Sequence, residues 1–442
     1  MSKNLGSLSG LLAAVLMMFA IHSAIAADSA ALVKNFDDYS ERVRAARADK
    51  ASTNLNGDIA WRDSYEMDAY LLMYQATGDA NYMDYFIELA DMVVTARADK
   101  AGMPDWRGWL RRGWLTDGAV TLGQPAVVLD AKGNPSLEIQ CRLGANNGSL
   151  AIEINPAKDG KSFDIAVRNL VTGQLDGNWE KLTMETVESA VNAEGSALKV
   201  RKMGAGIPGK CIPFTLPTQR AVIQALHWGK ITTPLTHVSG MIAKNPEMAA
   251  IKGRATNYTG CSVEAFGEFE KSFVDKGKSG YYAYEKNCPV ADAGKPAPVF
   301  AQAATGTGLI YLDETTTPTI YAKRVEQLAN YVKSRVEVGD DGKVSIKGEK
   351  AQSLENLQLV IRFMSECAKR DVVFTAADLE PFAKTFAAGQ AESNLAGFML
   401  LGGDTLQKCA AIYNEKYTQG NSAQILYGWA LLNYLNSPAA AK

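Results

Sequence analysis

Two hydrophobic periodicities alternate along the chain. Over residues 29–100, apolar side chains recur every three or four positions, which is typical of amphipathic helices. Between about 119 and 226 they recur at every second position, which is typical of half-buried strands separated by turns. The helical spacing returns near residue 238 and lasts to about 436. The pattern therefore predicts a mainly α protein in which a β region interrupts the helices.

The helical blocks carry the signals of repeated hairpins. Gly78 suits the left-handed residue that ends one helix, and Asp79 can cap the next. One spacing of apolar residues occurs in both blocks, at Tyr82, Leu89, Ala90 and Val93 and again at Tyr321, Leu328, Ala329 and Val332. Repeated helical hairpins bury their apolar faces by stacking on neighbours, so a solenoid or a closed ring is predicted.

The β region has the features of an inserted unit. Alternating runs such as 137–143, 150–154 and 163–167 are separated by turn signals rich in Gly and Asn. Short strands at this spacing are typical of an antiparallel sandwich. We therefore predict a helical domain in two parts, residues 27–118 and 227–442, with a β-sandwich-like domain at 119–226 between them.

The first 26 residues have the three parts of a secretory signal peptide. Lys3 supplies the charged end, residues 11–20 the apolar middle, and Ala24-Ile25-Ala26 a small-x-small cleavage site. An uncleaved anchor is the alternative. No later segment has the length and apolarity of a membrane span, so we expect no stable membrane insertion after cleavage. A periplasmic or secreted location follows.

The net charge limits the kinds of partner that are expected, and the cysteine content indicates the redox compartment. The formal net charge of −2 gives no general attraction to nucleic acid. The six cysteines all follow the signal peptide, and an even number in an oxidising compartment predicts disulfides. Their positions suggest the pairs Cys141–Cys211, Cys261–Cys288 and Cys367–Cys409; buried free thiols are the alternative.

The sequence offers little for a metal or a cofactor. Only His227 and His237 follow the signal peptide, and neither an HExxH motif nor a C-x₂-C pair is present. The glycines at 204, 206 and 209 match a dinucleotide fingerprint by letter, but Pro208 and Pro213 stand where the required helix would run. No metal site and no cofactor are therefore expected.

Several segments resemble secreted bacterial (α/α)-toroid proteins. They are DIAWRDSYEMDAYLLMYQATGDANYMDYFIELADMVV at 58–94, GQPAVVLDAKGNPSLEIQ at 123–140, LHWGKITTPL at 226–235 and KRDVVFTAADLEPFAKTF at 369–386. The resemblance is to the C-terminal helical domain of D-glucuronyl C5-epimerases and to toroid polysaccharide lyases. It implies an (α/α)-toroid with an inserted β region. Relatives often carry a histidine before the last of these segments, where this chain reads Gln352-Ser353-Leu354-Glu355-Asn356.

Aromatic and arginine side chains are the candidate glycan contacts. Indole rings offer flat faces to the C–H faces of a pyranose, and guanidinium groups bind carboxylates with two hydrogen bonds. The candidate substrate-binding residues are Trp61, Arg62, Trp106, Arg107, Trp109 and Arg111. The alternative is that the tryptophans belong to the core and the arginines to the solvated surface.

The candidate catalytic residues are Tyr281 and Tyr282, which lie in a predicted loop between helices, and His227. A lyase or epimerase must remove the proton at C5 of a uronate, for which a tyrosine or a histidine is suited. The alternatives are tyrosines that plug the end of a helical ring and a structural imidazole.

The most consistent hypothesis is an exported protein that handles a polysaccharide or oligosaccharide. Uronate-containing glycans and lyase or C5-epimerase chemistry are the enzymatic version. The rival hypothesis is a non-catalytic envelope protein that binds a glycan or a protein partner through the concavity of the helical domain.

Overall fold

The computed structural model describes residues 29–47, 54–103, 105, 109–117, 125–141, 149–169, 173–193, 196, 198–210, 214–217, 221–286, 288, 290, 292–316, 320–349, 353–388 and 395–441. These residues form a mainly helical protein with small antiparallel sheets, as the periodicity predicts. The predicted signal peptide, residues 1–26, lies outside the described residues.

The helices fall into two blocks on either side of the β region. The first block contains α1 (Ser29–Arg47), α2 (Ser64–Thr77, which continues a π-helical turn at Ile59–Asp63), α3 (Ala80–Thr95) and α4 (Ala98–Ala101). The short α5 (Val187–Val191) lies within the β region. The second block contains α6 (Ala225–Lys244), α7 (Lys252–Phe269), α8 (Val299–Thr315), α9 (Ile320–Lys333), α10 (Leu354–Ala368), α11 (Ala376–Ala388), α12 (Ala396–Met399), α13 (Gly403–Lys416) and α14 (Ala423–Leu435).

The boundary predicted between the second and third helices is confirmed. Gly78 ends α2 in the left-handed conformation, with φ of 73°, and its N–H donates to the carbonyl of Tyr74. Asp79 then caps α3 because its side chain accepts from the N–H of Asn81. These two residues produce the tight reversal of an antiparallel helix pair.

The packing of the helices joins the two blocks across the β region. Helix α2 packs on α6, α6 on α8, α8 on α10, α10 on α12, α12 on α14, and α14 back on α2. The other long helices pack against this series: α1 on α14, α3 on α2, α7 on α6, α9 on α8, α11 on α10, and α13 on α12 and α14. Buried apolar side chains from both blocks share one hydrophobic core.

Helix α8 is buried on nearly all sides, and small residues let its neighbour approach closely. A Cβ atom at Gly308 would lie 3.0 Å from the carbonyl oxygen of Gly229 in α6. The two glycines therefore face each other where α6 and α8 are in backbone contact. A helix that is buried all round belongs to the interior of a helical layer rather than to its surface.

A short ladder closes the neck of the β region. Strand β1 (Leu115–Asp117) pairs antiparallel with β9 (Ala221–Ile223), and Asp117 is opposite Ala221. The chain therefore leaves the helical part and returns to it at one place. The neck strands end two residues before the predicted boundary at 119 and three residues before the one at 226.

Two sheets within the β region contribute to one core. The strands between the neck strands are β2 (Ala126–Leu129), β3 (Pro135–Cys141), β4 (Ser149–Pro156), β5 (Phe163–Asn169), β6 (Leu175–Leu182), β7 (Leu198–Lys202) and β8 (Phe214–Pro217). Their order is β2-β3-β7 in one sheet and β6-β5-β4-β8 in the other. Alternate residues such as Ile139, Ile152 and Ile165 are fully buried in a core separate from the helical one. The predicted period of two is confirmed.

Two short hairpins interrupt the second helical block. Strands β10 (Phe273–Lys276) and β11 (Ser279–Tyr282) form the first, and β12 (Val336–Val338) and β13 (Val344–Ile346) form the second. The turn residues Gly339-Asp340-Asp341-Gly342 between Val336 and Lys347 are typical of the second hairpin, whereas the first replaces the loop expected around Tyr281 and Tyr282. That prediction was wrong because the alternation Ser-Gly-Tyr-Tyr is too short to identify a strand by its period.

Four of the described cysteines are free thiols in the structure. Cys261, Cys288, Cys367 and Cys409 are all buried and unbonded, and the Nζ of Lys100 lies 3.6 Å from the sulfur of Cys261. Cys141 ends β3, and Cys211 lies outside the described residues. The three disulfides remain predictions.

Candidate functional site

Helices α2, α6, α8, α10, α12 and α14 contact one another in a closed series. An open cavity of about 560 Å³ lies between these helices, mainly at their carboxyl-terminal halves. Each of α2, α6, α8, α10 and α14 contributes side chains to its wall. The lining residues are Asp68, Leu72, Gln75, His237, Gly240, Met241, Tyr311, Glu314, Arg362, Glu366, Lys369, Arg370, Leu400, Tyr427, Leu431 and Tyr434. Residues distant in sequence therefore meet in one concavity that combines charged groups with tyrosine rings.

The cationic side chains of the cavity wall form ion pairs with carboxylates. Arg362 pairs with Asp68 at 2.6 Å. Arg370 pairs with both Glu366 and Glu314, each at 2.6 Å, and Lys369 pairs with Glu366 at 2.9 Å. Positive and negative side chains therefore alternate on the wall, and each ion pair restrains the positions of its two partners.

Glu366 is the carboxylate most strongly stabilised in its charged form. Burial alone would raise its pKa, but the charges of Lys369 and Arg370, with hydrogen bonds from both, lower the pKa to about 2. Arg362 is kept protonated in the same way: burial opposes its charge, but Asp68 raises its pKa above the ordinary value. Both groups stay ionised at neutral pH.

His237 and Tyr311 form a ring pair on the cavity wall. Their ring centroids lie 4.6 Å apart at an interplanar angle of 30°, and the amide nitrogen of Gln75 lies 3.4 Å from Nε2 of His237. Burial lowers the pKa of His237, so its imidazole is neutral at pH 7 and can accept a proton. Burial, with the nearby charge of Glu366, raises the pKa of Tyr311, which keeps its phenol protonated. A proton acceptor and a proton donor are thus adjacent.

A smaller pocket lies beside the cavity. It is lined by Ser64, Asp68, Lys230, Thr233, Ala304, Thr307, Leu359 and Arg362. Asp68 and Arg362 line both spaces. The ion pair between these two residues therefore separates the cavity from the pocket around Lys230.

The structure places the predicted histidine away from this cavity. His227 is buried at the start of α6, where the side-chain amide of Asn54 donates to Nδ1 over 3.0 Å. Burial is the main cause that lowers the pKa of His227, to about 3. The neutral imidazole thus fills an internal position, with its ring edge-on to that of Trp61.

The predicted catalytic tyrosines lie in the hairpin β10–β11. Tyr282 is fully buried, and its hydroxyl donates to Glu270 over 2.9 Å. Burial and the charge of Glu270 raise the pKa of Tyr282. Tyr281 stacks on Tyr331 of α9, with centroids 5.1 Å apart. Neither tyrosine lines the cavity.

The predicted glycan-binding residues that the structure describes lie at two separate places. Arg111 is buried and binds three carboxylates, those of Asp105, Glu268 and Glu285. Trp109 is 59% exposed. These two residues lie near the β10–β11 hairpin rather than in the cavity, since Glu285 follows that hairpin.

Trp61 and Arg62 lie in the π-helical turn that precedes α2. The indole of Trp61 is partly buried under the ammonium group of Lys230. Nε of Arg62 donates to Asp63 over 2.7 Å. Trp106 and Arg107 lie outside the described residues.

The cavity contains charged residues that the sequence analysis did not single out. Arg362 and Glu366 lie four positions apart in α10, and Arg370 follows four positions later, just after the helix ends. In α2, Asp68 lies among mostly apolar buried residues. Charges placed among apolar residues of a helix were the available signal, because buried charges need partners within the fold.

Comparisons with known proteins do not assign the chain to a family. No family model, no curated protein and no solved structure matches the chain. No helix of the described residues is long and apolar enough to cross a membrane. Within the same residues, no cluster of three or more His, Cys, Asp or Glu side chains has the arrangement of a metal site.

Proposed function

We propose that the protein is exported and binds a polysaccharide or oligosaccharide in the cavity lined by His237, Tyr311 and Arg362. We further infer that its helices form an (α/α)-toroid with an inserted β-sandwich. The closed series of contacts from α2 through α6, α8, α10, α12 and α14 back to α2 supports the toroid. The cavity would then be the mouth of the toroid at the carboxyl ends of its inner helices.

The observation that carries the proposal is the combination of tyrosine rings and fixed charges in one open cavity. Tyr311, Tyr427 and Tyr434 offer apolar faces for the C–H surfaces of sugar rings. The alternating charges between them offer hydrogen bonds to hydroxyl groups in many directions. A volume of about 560 Å³ lies within the range of ligand pockets, which is roughly 300–1,000 Å³.

The enzymatic version assigns acid–base roles to residues of the cavity. His237, neutral at pH 7, would accept the C5 proton of a uronate, and the phenol of Tyr311 would donate a proton. Arg362 would stabilise the charge that develops on the uronate carboxyl group. Loss of the group at C4 would complete a lyase reaction, whereas return of a proton to the other face of C5 would complete an epimerisation.

A binding protein without catalysis is the second candidate. It is favoured by the ion pairs of the cavity wall, because Arg362, Lys369 and Arg370 each already have a carboxylate partner. A uronate would have to compete with these partners. A neutral glycan, or a protein partner, would only add hydrogen bonds to a charge pattern that is already balanced.

Calorimetric titration with a panel of neutral and uronate-containing oligosaccharides tests the binding proposal. Tyr434→Ala should weaken binding by about fivefold or more, since stacking on one aromatic ring contributes on the order of 1 kcal/mol or more. Tyr281→Ala removes a tyrosine outside the cavity and is the matched control. Equal affinity for all three proteins would contradict the cavity as the binding site.

Incubation with uronic-acid polymers distinguishes the two candidates. Ultraviolet absorbance of an unsaturated uronate reports a lyase, and exchange of the C5 proton with deuterated solvent, followed by NMR, reports an epimerase. His237→Gln should abolish either activity, whereas His227→Gln should retain it. Binding without absorbance or exchange would favour the non-catalytic protein.

A further inference from the structure

Lys230 is a buried amine without a carboxylate partner. It lies in α6 with only 6% of its surface exposed. Its Nζ lies 3.5 Å from the ring centroid of Tyr65 and 4.4 Å from that of Trp61. Asp68, which lines the same pocket, is paired with Arg362. Among the described residues, no ion pair to Lys230 is formed, and the close contacts of Nζ are with these two aromatic rings.

This environment favours the neutral amine. A buried ammonium group without a paired carboxylate is costly, and the usual outcome is loss of the proton. Burial is the main cause that lowers the pKa of Lys230, and the positive charge of Arg362 lowers it further. The negative charges of Asp68 and Glu355 raise the pKa of Lys230, but their effect is weaker. An uncharged lysine is a nucleophile at neutral pH.

The amine is also placed where a ligand of the cavity can reach it. Lys230 lines the small pocket, and Asp68 and Arg362 line both this pocket and the large cavity. The ion pair between these two residues therefore stands between the cavity and the small pocket, whose volume is about 10 Å³, so the pair must move aside for a small molecule to reach Nζ. The hydroxyl of Tyr65, over whose ring Nζ lies, is buried and has no hydrogen-bond partner among the described residues, so these residues leave a polar group of this part of the interior unsatisfied.

We propose that Lys230 is a carbonyl-reactive site that forms a reversible imine with small aldehydes, such as the open-chain form of a reducing sugar, that enter through the cavity. The nitrogen lone pair attacks the carbonyl carbon, and the carbonyl electron pair moves to the oxygen. That oxygen takes up a proton while the nitrogen loses one, which gives a carbinolamine. Loss of water then leaves the C=N bond, so that amine and aldehyde give imine and water without any oxidant or reductant. The proposal does not depend on which glycan, if any, the cavity binds.

Reductive trapping of the full-length protein tests this reaction. The protein is incubated at pH 7 with glycolaldehyde and cyanoborohydride, which reduces the imine to a stable secondary amine, and the modified lysines are located by peptide mass spectrometry. We expect Lys230 to carry at least about ten times more label than the exposed Lys132 and Lys158, because an ordinary lysine is almost wholly protonated at this pH. The proposal would be overturned if Lys230 carried no more label than these two lysines.

Two variants separate reaction at Lys230 from a general effect on folding. Lys230→Arg retains a cation that does not form an imine, and Lys230→Met retains the length of the side chain without charge. Both should lose the selective label while labelling of Lys132 is unchanged. Gly240→Leu adds a side chain to the cavity wall where a Cβ atom meets only ordinary contacts, and it should slow labelling of Lys230 several-fold. An unchanged rate in this variant would overturn entry through the cavity.

Discussion

Asp68 and Arg362 form an ion pair of 2.6 Å although 294 positions separate them in the chain. The pair joins α2 of the first helical block to α10 of the second. It also lies between the open cavity and the pocket around Lys230. Both side chains are largely buried, and removal of one partner leaves the other charge without compensation.

The first prediction concerns this pair. Asp68→Asn should lower the free energy of unfolding by about 3 kcal/mol, because breaking a buried ion pair typically costs 3–5 kcal/mol and the cavity admits some water. Urea denaturation measures the change. Asp292→Asn, which breaks the exposed pair with Lys295, is the control and should cost less than about 1 kcal/mol. Similar values for the two variants would show that the Asp68–Arg362 pair has little importance for the fold.

The second prediction separates two neighbouring arginines. Arg111 is buried among Asp105, Glu268 and Glu285, whereas the guanidinium of Arg112 is largely exposed and pairs with Glu264. Arg111→Met should destabilise the protein by roughly 3 kcal/mol or more, since three carboxylates lose their shared cation. Arg112→Met should change stability by less than about 1 kcal/mol.

Thermal and urea unfolding of both arginine variants check this prediction. A stable Arg111→Met protein with impaired glycan binding would instead support the contact role that the sequence suggested. Loss of stability with unchanged affinity per folded molecule would assign Arg111 to the fold.

The regular elements could be predicted from sequence because their signals are local. The end of α2 at Gly78 and the cap at Asp79 depend on backbone conformation within a few residues. Alternation at Ile152 and Ile165 similarly depends on which face of a strand is buried. Such preferences act before any distant contact forms.

The site could not be predicted in the same way because it is assembled from distant helices. His237 and Tyr311 are adjacent only because α6 and α8 pack together, and no local pattern states which faces will meet. His227 was a candidate as one of the two histidines that follow the predicted signal peptide, yet its neighbours are Asn54 and Trp61. Burial, which decides whether an imidazole meets a ligand, is a property of the whole fold.

The third prediction concerns the response of His227 to acid. Its pKa is about 3 in the folded protein and about 6.5 in an unfolded chain. The unfolded state therefore takes up a proton first, and the stability contributed by His227 is complete above pH 6.5 and is lost as the pH falls toward 3. Between these limits the loss approaches about 1.4 kcal/mol per pH unit.

Urea unfolding at pH 7, 6 and 5 measures this response. His227→Gln retains an acceptor for Asn54 but does not titrate, so its stability should fall less steeply with acid than that of the natural protein. Subtracting the two slopes cancels the carboxylates that both proteins share. Parallel slopes would show that His227 is already solvated in the folded state.

The last prediction concerns the neck of the β region. Because Asp117 is opposite Ala221 at the end of the β1–β9 ladder, residues 118–220 can be replaced by Asn-Gly, the preferred two-residue connection of a hairpin. The β region has a core of its own, and α2 packs on α6 without it, so the shortened chain should keep its helical circular dichroism and unfold in one transition.

A second shortened protein with Thr116→Pro, which removes a ladder N–H, should be less stable than the first. If the first protein loses its helical signal, the helices need the insertion in order to fold, and the discontinuous helical domain is disproved. If it keeps the signal and also binds the same oligosaccharides as the full chain, the cavity residues of the two helical blocks are sufficient for binding.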